Sequence, residues 1–530
     1  MGPDRKPEDG ISVRSIHEVE TAAVEKKGGT ITDGYEMSRM GKKQELRMER
    51  NFKFVGIVGF VTILQATWEN VLLANWFGLY NGGTAGVIWC TIAVWLLMLC
   101  MIASLAEMAS MAPTAGGQYH WVSEFAPPSL QKPLSYVVGW CCCLGWIAGV
   151  PSCCVQLAGM VQTMILLMHP EADVSRLYQA TLLLYCFLVL CVGFNIFCAQ
   201  QLPLAEGILL FVHVLGFFVF LLVFWIMADH APAERVFREF HDGGGWGSTG
   251  LSCLVGLATP VWCFIGPDAG AHMSEELKDA SLQLPRAMMW ATVLNGILGV
   301  TMLISFCFCI QDIESLVSMD SDFPIIEVLL NATGSRAATC VLGAMLVVLL
   351  FFSTVTTTAS ASRQVWAFSR DQGFPFSKWI RFVKPGVNIP TNAILCVGLV
   401  AAVVSAINFG SGTAFNAVVG VSNAALGFSY IVSIGCIRLK RFRGEELLPA
   451  RWSLGRYGAV INDISLAFLV IVFVFSFFPT DVIHGNEQWA ESFNWAIVIF
   501  GATCLLALAY YMLGGGRQKY ISPASLVKQE

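Results

Sequence analysis

Twelve runs of about 20 mostly apolar residues follow one another along this chain, each long enough to cross the hydrocarbon core of a bilayer as an α-helix. They fall at roughly 54–79, 86–111, 134–165, 178–198, 203–229, 251–275, 286–310, 337–362, 391–408, 413–437, 461–478 and 492–513. One such run alone would read equally well as a buried helix of a soluble core. Twelve in series, with few internal charges, do not. A membrane β-barrel needs alternating segments of about ten residues, and those are absent. The expected fold is an all-α integral membrane protein of about 12 transmembrane helices.

Charge is what such a chain lacks. Of 530 residues, 55% are apolar and 13% charged; a soluble domain carries about 25% charged residues. Residues 1–53 hold 11 Lys/Arg and 10 Asp/Glu, which leaves 48 charges for the other 477 positions. That excludes a soluble multi-domain enzyme, and a nucleic-acid partner, which needs a basic face. The expected organisation is a disordered cytoplasmic tail over 1–50, a membrane domain over 51–515 and a second cytoplasmic tail over 516–530.

The short loops give the orientation, because cytoplasmic loops are enriched in Lys and Arg. With the N-terminus inside, 28 basic residues lie on the inner side and 4 on the outer side: Arg176, Arg235, Arg238 and Arg336. Both termini are expected to be cytoplasmic. The one N-x-S/T sequon, Asn331-Ala332-Thr333, then falls in an outer loop and makes Asn331 a glycosylation candidate. The N-terminus has no apolar signal-peptide core. Lys6 stands where a myristoylation motif needs Ser or Thr. The 18 Cys sit mostly inside spans without a C-x-x-C and His pattern, and no phosphate-binding G-x-x-x-x-G-K-S/T is present. No metal, no cofactor and no ATP drive are expected.

An ionisable side chain at membrane depth costs roughly 2.5–3.5 kcal/mol on insertion scales, so each survivor marks a candidate site. The clearest are Glu69 in the first run, Glu206 and His213 in the fifth and Asp268 in the sixth. Glu107, His272 and Arg363 lie near predicted cytoplasmic ends and are expected to reach water. Glu206 also stands near a cytoplasmic end, where water is the simpler reading. His213 reads equally as a neutral core histidine or a proton relay. Gly266-Pro267 before Asp268 predicts a break in the sixth helix, because proline removes a donor and glycine tolerates unusual torsions. Glu69 lies in the polar cluster Thr67-Trp68-Glu69-Asn70, at a comparable depth in the first run. Two interrupted spans five helices apart fit an inverted repeat, about 54–229 and about 251–437, with two extra helices over about 461–513.

Four stretches carry a resemblance. Residues 105–121 (with Pro113, Gly116, Gly117, Gln118 and Trp121), 274–286, 330–335 and 361–375 resemble signatures of amino acid–polyamine–organocation permeases. The last two are similar to the fungal amino acid/choline branch, which includes GABA and choline permeases. The resemblance implies a five-plus-five inverted repeat with broken helices 1 and 6, and alternating access around a mid-membrane site. Carried onto this sequence, the implied substrate site is Thr67, Trp68, Glu69 and Asn70 with Phe264, Ile265, Gly266, Pro267 and Asp268. One departure stands out: where many relatives carry small Gly/Ser residues in helix one, Glu69 and Asn70 disfavour a carboxylate and favour an ammonium. Trp68, Phe264 or Trp262 are candidates to cap such a cation.

The expected function is secondary active import of amino acids or a related amine such as choline or GABA at the plasma membrane. Protons are the expected coupling ion, with Glu69, Asp268, Glu206 and His213 as carriers. Sodium is the alternative, with Ser353, Thr354, Thr356 and Thr357 as its ligands, although such hydroxyls usually bond back to their own helix. Export or exchange across an intracellular membrane, a nutrient sensor and a membrane-embedded transferase are the other readings.

Overall fold

The fifth span shows why these helices sit in lipid. Along Leu202–Met227, the side chains of Leu204, Ile208, Phe211, Leu215, Leu222 and Ile226 are exposed at helical spacing. The opposite face buries Leu202, Glu206, Leu209, His213, Phe217, Phe220 and Phe224. The apolar stripe thus faces outward and the polar groups face inward, the reverse of a soluble amphipathic helix.

A computed structural model describes residues 32, 50 and 52–524, except 175, 318–322, 384–387, 410–413, 484, 486–488 and 514. The expected N-terminal tail therefore lies almost wholly outside the described residues. So does the first residue of the tenth run. Among the described residues there is no strand, only a single bridge between Phe52 and Leu277. Among those residues eleven helical segments are long and apolar enough to cross a membrane. They match the first eleven expected runs in order.

The first span is Phe54–Gln65 with Thr67–Leu73, the second Trp76–Met111, the third Gln131–Met168, the fourth Leu177–Phe197 and the fifth Leu202–Met227. The sixth is Thr249–Val255, Ala258–Phe264 and Ala269–His272. The seventh is Ala280–Phe308, the eighth Arg336–Arg370, the ninth Thr391–Ser405, the tenth Ala414–Phe442 and the eleventh Gly458–Phe475. The twelfth apolar helix, Ala496–Met512, has 17 residues, or about 25 Å of rise.

Both ends of the described chain pack on one face, called here the terminal face. Phe52 pairs its backbone with Glu276 and Lys278 after the sixth span. The backbone N–H of Ile521 donates to the carbonyl of Asp371 at the end of the eighth. Tyr520 is buried between Tyr136 and Phe368, so the expected C-terminal tail begins as a packed segment. Arg50, placed in the expected N-terminal tail, is likewise buried and donates to the carbonyls of Ser274 and Leu277.

Asn331 lies not in a loop but in the short helix Pro324–Thr333, where its amide donates to Glu327. The residues after the seventh span have enough apolar periodicity to coil, which the sequon pattern alone does not register.

Candidate functional site

The first span breaks at Ala66, whose backbone adopts φ 39° and ψ 49°. This left-handed conformation costs a non-glycine residue roughly 1–2 kcal/mol, so the surroundings have to hold it. They do so through the carbonyls that the break frees. The Leu64 carbonyl accepts from the Ser353 hydroxyl at 2.8 Å. The Gln65 carbonyl accepts from the Asn70 amide at 2.9 Å. The Thr62 carbonyl keeps its helical bond from the Ala66 N–H at 3.0 Å and also accepts from Asn295 at 3.1 Å. Thr67, Trp68, Glu69 and Asn70, expected in the unwound stretch, instead form the first turn of the helix beyond it. Without a Gly or Pro, the break falls at the single alanine before the polar cluster.

The sixth span breaks where Gly266-Pro267 requires it. Helix ends at Phe264, Ile265 is extended, Gly266 has φ +105°, and helix resumes at Ala269. A Cβ at Gly266 would lie 2.8 Å from a Leu64 methyl, so the backbone of one broken helix touches the other through a missing side chain. Two hydrogen bonds tie the breaks together: Gln65 donates to the Phe264 carbonyl and Thr67 to that of Cys263, both at 2.9 Å. Residue number rises on one side and falls on the other, so the two broken helices run antiparallel. Irregular backbone at membrane depth thus meets partners from the opposite element, as hydrocarbon demands. Gln65→Ala is expected to lower stability by about 1–3 kcal/mol, because two buried carbonyl and amide partners lose their mates; a thermal unfolding midpoint in detergent measures it.

The four buried ionisable groups separate into distinct places. Glu69 Oε1 stands 2.7 Å from His213 Nδ1, both fully buried, with Glu69 Oε2 and His213 Nε2 unpartnered. Trp68 lies beside them, its indole donating to the His213 carbonyl at 3.2 Å. Glu206, about two helical turns earlier on the fifth span, is buried rather than solvated and accepts from Thr356 at 2.6 Å. Asp268 sits at the other break, accepting from Gln118 at 2.7 Å and Tyr430 at 2.6 Å, with His272 Nε2 3.8 Å away. The structure joins Glu69 to His213 and keeps Asp268 and Glu206 apart from them.

Three residues expected to reach water do not. Glu107 is buried and binds Arg441, Ser453 and the backbone of Leu454. Arg363 is buried against Glu276 at 3.0 Å, and His272 against the Ala115 carbonyl at 3.0 Å. Loops folded back over the span ends exclude the water that linear position suggested. Sequence reading also passed over Gln65, Asn295, Gln118 and Tyr430. Each is a polar side chain within or beside an apolar run, and that signal was available for the two amides at positions 65 and 295.

The terminal face is closed. Arg370 forks onto Glu275 with two bonds of 2.8 Å, and Arg451 pairs with Asp279. Tyr119 donates to Asp371 at 2.9 Å. Burial and then the Asp371 carboxylate push the Tyr119 phenol well above its usual range, so it remains a donor. The acids of both ion pairs follow the sixth span, while Arg370 ends the eighth and Arg451 follows the tenth, so opening this face has to break charge pairs.

A cavity of about 480 Å³ lies on the opposite side, between the first, third, sixth, tenth and eleventh spans. Leu73, Ala74 and Phe77 of the first and second spans and Trp262 of the sixth line it. Glu69 does not line it, because its face of the helix turns toward the fifth span. Of the hydroxyls considered for sodium, Thr354, Thr356 and Thr357 donate to the carbonyls of Leu350, Phe352 and Ser353 on their own helix.

A membrane bundle with two broken helices cross-bonded at mid-depth, closed on one face and hollow on the other, has the anatomy of an alternating-access carrier. A sequence model of the family described as Amino acid permease matches residues 54–503. This chain belongs to the amino acid permease family. The permease is 32% identical over 446 residues to a candidate amino acid/polyamine transporter of Macrophomina phaseolina, covering 83% of this chain and 98% of the relative. It is 26% identical to a choline transporter of Saccharomyces cerevisiae over 98% of this chain and 90% of the relative. Amino-acid permease 2 of Neurospora crassa is 27% identical, with 91% and 86% covered. The permease is thus a multi-pass membrane transporter, not an enzyme. Among its described residues no group of three or more His, Cys, Asp or Glu side chains is placed to hold a metal ion.

Proposed function

We propose that this permease imports an amino acid or a related amine, such as choline or GABA, across the plasma membrane, driven by protons. The observation that carries the proposal is the Glu69–His213 pair, which hangs directly on the helix that follows the Ala66 break. Imidazole exchanges protons near neutral pH more readily than any other side chain. A proton held there changes the charge of a buried pair, and so changes how tightly Thr67–Leu73 is held to the fifth span. Solute binding acts on the same broken helix from its cavity side. Thr67, Trp68 and Asn70 with Phe264–Asp268 form the substrate region at the two breaks, beside the cavity that Trp262 lines, while Glu69 serves the proton, with Glu206 and Asp268 as further carriers. The two halves, about 54–229 and about 251–437, move against each other as inverted repeats.

With the terminal face cytoplasmic, the arrangement described here is outward-facing. Asn331 then meets the glycosylation machinery. Asn331→Gln is expected to sharpen and lower the band of the expressed protein on a gel; an unchanged band contradicts this orientation. Uptake of labelled choline, GABA and amino acids at two external pH values tests the function, acid-stimulated accumulation of one of them being the expected result.

A further inference from the structure

The cavity has a composition that the transport cycle alone does not require. Among the described residues that line it there is no Lys, Arg or His, and the single ionisable group is Asp481. Asp481 is fixed by the Tyr80 hydroxyl at 2.8 Å. The walls are aromatic, with Trp76, Trp262, Phe323 and Phe475 among the side chains. Such rings attract a cation through their faces, and a lone carboxylate adds a counter-charge. A solute carboxylate brought here would meet no basic partner.

Gln156 supplies the second observation. It lines this cavity from the third span at 3% exposure, and neither its amide nitrogen nor its amide oxygen has a partner. Three other polar side chains of the lining have partners: Gln162 donates to the Val174 carbonyl, Thr259 to that of Ala74, and Asn494 to those of Ser476 and Phe478. A buried amide left unpaired costs free energy, so a ligand that pairs with it gains by doing so. The Trp262 indole N–H, also unpartnered, faces the same need.

We propose that this cavity is a recognition site for a net-cationic organic ammonium bearing one neutral hydrogen-bonding group, with Asp481 as its counter-charge and Gln156 reading that group. The inference rests on the transport reading above but adds a substrate class that the reading leaves open. A zwitterion is selected against, since its carboxylate adds to the charge of Asp481 and finds no base among the described lining residues.

Binding to the full-length protein in lipid nanodiscs tests this without any gradient. The probes are labelled choline, with tetramethylammonium (the charge without the hydroxyl) and GABA (a zwitterion) as competitors. The wild-type protein is expected to favour choline over tetramethylammonium by about tenfold, the effect of one net neutral hydrogen bond. Gln156→Leu is expected to bring that preference within about twofold, and Asp481→Asn to weaken both ammonium ions while keeping the preference. Gln156→Met serves if the leucine variant is not folded. No binding of choline, competition by GABA as strong as by choline, or a preference unchanged in the Gln156 variants would each overturn the proposal. If this binding pattern holds but no proton-driven accumulation is seen, only the import reading fails. If accumulation is seen without the pattern, only the present inference fails.

Discussion

Glu69→Gln is expected to reduce pH-driven accumulation by at least about tenfold, the effect of about 1.4 kcal/mol, while counter-flow exchange of the same solute continues. The glutamine keeps the shape of the side chain and a hydrogen bond to His213, but it cannot carry a proton. Because Glu69 faces the fifth span and not the cavity, solute affinity should change little. Loss of affinity without loss of pH dependence would instead place Glu69 at the substrate. His213→Ala is a harsher change, since it strands a buried carboxylate and costs about 3–5 kcal/mol. It should cut the yield of folded protein, and His213→Gln should restore the yield without restoring proton drive. Measurements of surface expression, uptake and exchange on the three variants separate these outcomes.

Gly296→Ala is expected to have the largest effect on folding. The seventh span uses one short stretch to hold both of its neighbours. Trp95 of the second span lies over Gly296, where an added Cβ would stand 1.7 Å from the indole nitrogen. That nitrogen donates to the Thr292 carbonyl at 3.1 Å, so displacing the ring also breaks a bond. One turn further, a Cβ at Gly299 would lie 2.6 Å from a Thr67 methyl, and Asn295, just before Gly296, holds Thr62 and Gln65. Overpacking usually costs about 1–3 kcal/mol and occasionally more. Here the rigid ring leaves little room for relaxation, and the upper part of that range is expected from thermal unfolding. Trp95→Leu in the same chain should recover most of the loss. If Gly296→Ala alone is silent, the second and seventh spans do not pack as described.

The bundle was largely legible in the sequence, because bilayer thickness turns each span into a run of apolar letters and Gly266-Pro267 forces a break. The break at Ala66 was legible only through its neighbours. Nothing about an alanine announces a left-handed residue; the partners that hold it, Ser353, Asn295 and Asn70, come from other spans and from the turn beyond. The same holds for Glu69. Its depth marked it as unusual, but which face it presents, and that His213 lies 2.7 Å away, depend on packing across 144 residues. Linear position misjudged Glu107, His272 and Arg363, since span ends are water-exposed only until loops fold over them. Gln156 was invisible as a candidate because an amide in a helix is normally satisfied, and only the cavity shows that this one is not.

Proton-driven movement of an amine or amino acid through the broken helices is the function proposed for this permease. Purified protein in liposomes, given an inward proton gradient and labelled choline, GABA or amino acids, tests that directly. At least one solute should accumulate above its external concentration, and a protonophore should collapse the accumulation. Accumulation that survives the protonophore, or no movement of any solute at either pH, would contradict it.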